Sequence, residues 1–198
     1  MNPLEGKRVL IEDPAKLKFS PNGWHEVRST SYTTVRGNNG IAQENWDAGS
    51  DFLNNKRADG GESLDFSFRY SPSITDATRY IDAATTQVFY TCNVYHDLLD
   101  SLGFTERAGN FEEVNTGKGG KGGDAVQLNA QDGSGINNAN FITPPDGVRP
   151  RMVCSTNDCI CSSIYTNSMY RECTFGVVDL SVMVILTKAS SSMNTLMG

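Results

Sequence analysis

Between Tyr80 and Leu102 the apolar residues return every three or four positions: Tyr80, Ala84, Val88, Cys92, Tyr95, Leu99 and Leu102 share one stripe. That period belongs to an α-helix with one buried face, and it predicts a single long helix over about residues 73 to 102. Ser73, Thr75 or Asp76 can cap its start, because their side-chain oxygens accept the N–H groups that a first turn leaves unpaired. Gly103 stops it. Cys92 lies in the stripe and reads as a buried structural thiol. A helix of this length has to cover a broad apolar surface, which the rest of the chain must supply.

The rest is β-prone and rich in turns. Short runs occur at 8–11, 24–27, 31–35 and 64–70. In the last, Leu64, Phe66, Phe68 and Tyr70 alternate with polar residues, the period-two pattern of a half-buried strand. Turns are expected at Gly37–Gly40 and Asp59–Gly61, so residues up to about 70 are predicted to form an antiparallel meander. With 38% hydrophobic residues, 19 Gly and 7 Pro, an all-helical bundle is excluded and an α+β domain with a β-rich N-terminal part is expected.

The formal charge of -6 argues against nucleic acid, whose phosphates need clustered Lys and Arg. No apolar run is long enough to span a bilayer, and Met1 opens a polar stretch. No membrane partner and no signal peptide are therefore expected, and the chain is read as a monomer.

Few residues carry an obvious chemical role. Lys118–Gly123 suggests a phosphate loop, yet neither lysine is followed by Ser or Thr and no strand-then-helix frame surrounds it, so a flexible loop is predicted. Asp132–Gly135 lacks the carboxylate spacing of a calcium loop and reads as a tight turn. Asn137–Phe141 is predicted to be a short polar strand, closed by Pro144 and Pro145. His96 reads as a core-margin histidine bonded to a backbone group, with support of a nearby active site as the alternative; His25 receives no role. Cys154, Cys159, Cys161 and Cys173 crowd together without paired Cys-x-x-Cys spacing, so no metal site is expected.

Several longer strings carry a resemblance. Tyr95–Leu99, Leu102–Phe104, Ala108–Phe111, the glycine loop, Ala130–Gly135, Asn137–Phe141 and Thr143–Gly147 run in the order and spacing found in fungalysins. Upstream, Tyr32–Thr34, Arg36–Gln43 and Phe52–Asn55 are similar to the same family. The chain thus resembles the front part of the catalytic domain of these secreted fungal zinc metalloendopeptidases over about residues 5 to 152.

The resemblance implies a thermolysin-like architecture, zinc as cofactor, peptides or proteins as substrates and an extracellular location. It also implies a front-domain edge strand that pairs with extended substrate, a role that falls on Asn138 and Ala139, with Asn140 beside them. The family's His-Glu-x-x-His motif holds zinc through two histidines on one helical face. This sequence has only His25 and His96, so no catalytic and no metal-binding residue is assigned and the chain as written is expected to be inactive. A non-catalytic peptide-binding or decoy module is the alternative.

Beyond Met152 the resemblance stops. Codons that permit Val182–Gly198 also permit, one base earlier, a string containing His-Glu-Tyr-Thr-His, the family's zinc helix. Val153–Cys154 can encode a fungal splice donor and Tyr170–Arg171 an acceptor, with an intervening length that shifts the frame. Residues 1–152 are therefore expected to form the front of a peptidase domain. Residues 153–198 are read as an irregular, intron-derived and out-of-frame tail.

Overall fold

The structure, a computed structural model, describes residues 10–71, 74–136 and 138–156. The tail beyond Thr156, with Cys159, Cys161, Cys173 and the Val182–Leu186 patch, lies outside the described residues, as does Ser73.

The helix forms where the periodicity places it, with a later start. Asp76 caps a 3-10 turn over Ala77–Tyr80, its carboxylate accepting the Thr78 N–H at 3.0 Å, and helix α1 follows over Ile81–Ser101. Gly103 takes φ +104, and the Phe104 N–H bonds back to the Leu99 carbonyl at 2.9 Å. A left-handed glycine after the last turn is the usual helix stop.

Strands β1 (Glu26–Val27) and β2 (Thr30–Ser31) make a small antiparallel hairpin. The main sheet contains β3 (Gly40–Glu44), β4 (Val126–Ile136), β5 (Ala139–Ile142) and β6 (Arg151–Thr156), in the order β3-β4-β6-β5. β3 runs parallel to β4 and β4 parallel to β6, while β5 is antiparallel to β6. The front of the chain is thus no antiparallel meander: the long α1-containing crossover between β3 and β4 forces parallel pairing, as such connections do.

α1 lies on one face of β3 and β4. Ala42, Val126, Leu128 and Met152 pack there with Trp24, Val35, Ala58, Phe89, Leu99, Phe104 and Phe111 in one core. Leu128 is only 1% exposed, burial worth about 2 kcal/mol for a leucine. Beside it Tyr70, Tyr80, Ala84 and Ala130 form a second cluster.

The predicted strand at 64–70 does not pair. Leu64 is 42% exposed, but Phe66 and Phe68 are partly buried and Tyr70 is buried while Asp65, Ser67 and Arg69 are exposed, so the alternation holds over 65–70 although no neighbouring strand accompanies it among the described residues. Period two reports alternating burial of an extended chain, not a hydrogen-bonded ladder. β6 crosses the expected boundary at Met152: Val153 is fully buried and Ser155 is 2% exposed. Residues through Thr156 complete the sheet, whatever their coding origin.

Candidate peptide-binding edge

β5 exists because β4 turns back at its end and the returning chain is captured by β6. Ala139, Asn140, Phe141 and Ile142 face Cys154, Val153, Met152 and Arg151 in turn. No strand covers its other side among the described residues. The Asn138 carbonyl accepts the Ser155 N–H at 2.9 Å. Antiparallel strands alternate the direction of their peptide groups, so those of Asn140 face β6 and those of Ala139 and Phe141 point outward.

All three residues assigned to substrate lie together here. Asn138 and Asn140 are exposed and Ala139 is half-buried. The Asn138 side-chain oxygen accepts the Ala139 N–H at 2.9 Å, turning the amide group along the rim. Residues 138–142 carry no charge and no proline. Open sheet edges are normally guarded by such residues against added strands, so an unguarded one suits a strand-shaped partner.

Around α1, which packs on β3 and β4, lies a buried polar cluster of which sequence reasoning singled out only His96. His96 leaves α1 with its Nδ1 3.2 Å from the Asp97 carboxylate and its Nε2 3.0 Å from that of Glu112. It bonds to side chains, not to the expected backbone group. Burial pulls the imidazole toward neutrality, but bonds and charges from Asp97 and Glu112 outweigh it and push the pKa up to about 9. Asp97 also accepts from Ser20 Oγ at 2.5 Å, Trp24 Nε1 at 3.0 Å and the Lys16 N–H at 2.8 Å. Burial raises its carboxyl, yet these bonds hold it below the usual range.

Glu112 accepts from Asn110 Nδ2 at 2.8 Å, and its N–H donates to Asp124 at 3.0 Å. The pattern Asn110-Phe111-Glu112 was the available signal, polar residues flanking an aromatic; their burial at 1%, 4% and 4% exposure was not visible in it.

The other motifs resolve locally. The glycine loop closes over an internal acid: Glu106 accepts the N–H groups of Thr116 at 2.8 Å and Lys118 at 2.9 Å. These donors are therefore committed to a carboxylate. Gly120 is needed because a Cβ there would collide with the Glu106 carbonyl. Asp132 accepts from Asn45, Asn129 and the Ser134 N–H, which places the 132–135 segment inside β4 rather than in a free turn. His25 bonds the Thr34 carbonyl at 3.0 Å and stacks on Phe66, and burial lowers its pKa. The Cys92 thiol is pushed up to about 12 by burial, consistent with a structural role.

Zinc does not fit these side chains. No group of three or more His, Cys, Asp and Glu able to hold a metal occurs among the described residues. His96 spends both ring nitrogens on carboxylates, and a doubly protonated ring has no lone pair to give. No helix among the described residues is long and apolar enough to cross a membrane.

Comparison with known proteins joins these features. The fungalysin metallopeptidase family matches residues 1–175, further along the chain than the resemblance read from the motifs. Extracellular metalloproteinase 5 of Trichophyton rubrum and that of Trichophyton tonsurans are 56% identical over 151 residues. Extracellular metalloproteinase 1 of Arthroderma gypseum is 54% identical over the same length. Each alignment covers 76% of this chain and 24% of the relative, so the chain spans about a quarter of the length of these proteins. An α+β sheet with one long helix, an unguarded edge strand carrying Asn138–Asn140 and a match over most of its length place the chain in the fungalysin metallopeptidase family.

Proposed function

We propose that this chain forms the β-rich wall of the substrate cleft of an extracellular zinc metalloendopeptidase. Extended peptide adds to the outer edge of β5, bonding to the peptide groups of Ala139 and Phe141, while the side-chain amides of Asn138 and Asn140 hold its flanks. The observation that carries this reading is the uncovered, uncharged edge bearing these residues. Hydrolysis needs a zinc motif with two histidines one helical turn apart, and the sequence has only His25 and His96, so we expect this chain to bind substrate without cleaving it.

The test uses the 198-residue chain and a fluorescein-labelled, end-blocked peptide, Thr-Val-Phe-Leu-Val-Thr, read by anisotropy. Binding is expected once the Asn138 side chain yields the Ala139 N–H to the peptide, and it should be weakened at least tenfold by Ala139→Pro, which removes that N–H. Equal affinity in that variant would sink the edge reading. Casein should survive incubation with the chain plus zinc, and chelator-sensitive cleavage would overturn the claim of inactivity.

We further propose that residues 153–198 derive from a retained intron and out-of-frame translation, supported by the frame-shifted zinc motif that the Val182–Gly198 codons permit. Sequencing the spliced transcript across the Met152 codon decides it. A message lacking a splice junction there removes the proposal.

A further inference from the structure

The buried cluster around His96 does more than fill space, because it is linked to β5 through Phe111 and, through Asp124, to the segment that follows that strand. Glu112 is fixed by His96, by Asn110 and, through Asn38 Nδ2 at 3.3 Å, by the loop before β3. Phe111, next in the chain, turns the opposite way. It packs edge-on against Phe104 at 5.8 Å and against Phe141 of β5 at 6.1 Å. Asp124 completes the second link: one oxygen accepts the Glu112 N–H and the other the Gly147 N–H at 3.0 Å, in the turn that follows β5. The His96, Asp97 and Glu112 side chains are 8%, 2% and 5% exposed, so solvent does not loosen the arrangement.

We infer that His96 is a positioning residue for the peptide-binding edge: by pinning Glu112 it sets Phe111 against Phe141 and holds β5 in place to receive a strand. The inference rests on the reading of β5 given above.

The charge on the ring is what makes the pin. Two carboxylates facing two ring nitrogens are both satisfied only when both nitrogens carry protons. Asp97 from α1 and Glu112 from the 105–124 segment face the ring directly, with the Asp100 carboxyl also sensing its charge; Glu106 and Lys118 act on Asp100, and Lys16 and Asp124 bond to Asp97 and to the Glu112 N–H. When the ring loses a proton, one nitrogen turns a lone pair toward a carboxylate. Asp97 keeps donors from Ser20, Trp24 and Lys16, whereas Glu112 keeps only side-chain amides and the weaker hold is on its side. Deprotonation therefore releases the segment that backs β5.

The test follows three signals of the 198-residue chain between pH 6 and 10: the His96 ring resonances, the exchange protection of the Asn140 and Ile142 amides, and affinity for the labelled hexapeptide. All three should change together with a midpoint near pH 9. Glu112→Gln should lower the ring midpoint by about a unit or more and carry the other two signals with it. Phe111→Leu should leave the ring midpoint in place and make β5 protection low at every pH.

A ring that titrates at or below pH 6.5, or β5 protection that stays flat while the ring titrates, overturns the inference. If the ring and β5 protection move together and the peptide binds at no pH, the brace stands and the edge reading fails. Constant affinity across the ring's titration leaves the edge reading and removes the brace.

Discussion

The two edges of the main sheet have opposite fates. On the β3 side, the Ala42 N–H donates to the Val35 carbonyl at 2.9 Å and the Glu44 N–H to the Lys56 carbonyl at 2.8 Å, so loops from both directions cap the outward groups. Ile41, Ala42 and Gln43 are at most 2% exposed. On the β5 side no loop caps the outward peptide groups of Ala139 and Phe141 among the described residues, the Ala139 N–H being met only by the neighbouring Asn138 side chain, and the Ile142 side chain is 55% exposed. A sheet closes an edge whose backbone groups would otherwise be buried without partners. It leaves open one that water, or a peptide, can satisfy.

The same substitution at the two edges breaks this comparison most severely. Ala42→Pro removes the N–H that Val35 receives and orphans a buried carbonyl, and about 4 kcal/mol of unfolding free energy should be lost, read from urea melts followed by circular dichroism. An unchanged midpoint would mean that the β3 edge is not closed as described.

The next largest effect is that of pH. His96 is raised above its ordinary 6.5, so its contribution is present in full below pH 6.5 and is lost as pH rises through about 9. The loss should total roughly 3 kcal/mol, and His96→Gln should flatten the alkaline limb of stability against pH.

Ala139→Pro, by contrast, should cost under about 1 kcal/mol, because proline is tolerated where the N–H faces away from the ladder and the only bond lost is the exposed one to the Asn138 side chain. A cost as large as that of Ala42→Pro would show that the outer edge of β5 is covered in solution. Lys56→Ala sets the floor of the series. The Lys56–Asp82 pair spans 3.9 Å between exposed groups, and its loss should shift stability by less than about 0.5 kcal/mol.

How much of this was legible depended on where the partners of each residue lie. The Asp76 cap and the Gly103 stop are local, and both hold in the structure. The face of α1 is another matter. Tyr80, Ala84 and Leu99 of the apolar stripe are buried, but Leu102 is 59% exposed, and Thr85, Asn93 and Asp97 are buried in its place. Each of these polar residues is admitted by a distant segment: Ala58 donates to Thr85 Oγ1, Asn39 to Asn93, and Ser20 and Trp24 to Asp97. Apolar periodicity cannot register them, because burial of a polar group depends on a hydrogen-bond partner brought in by folding.

The long helix, its end signals, the α+β character and the family could be read before any fold was known, since they rest on period, local capping and strings of residues in fixed order. That β3 pairs parallel with β4 and that His96 joins Asp97 and Glu112 in a buried cluster became visible only once the chain was folded, whereas the edge strand at Asn138 and Ala139 was already expected from the family resemblance. Strand partners and buried ion clusters are contacts between segments far apart in the chain, and no local pattern encodes which distant group will arrive.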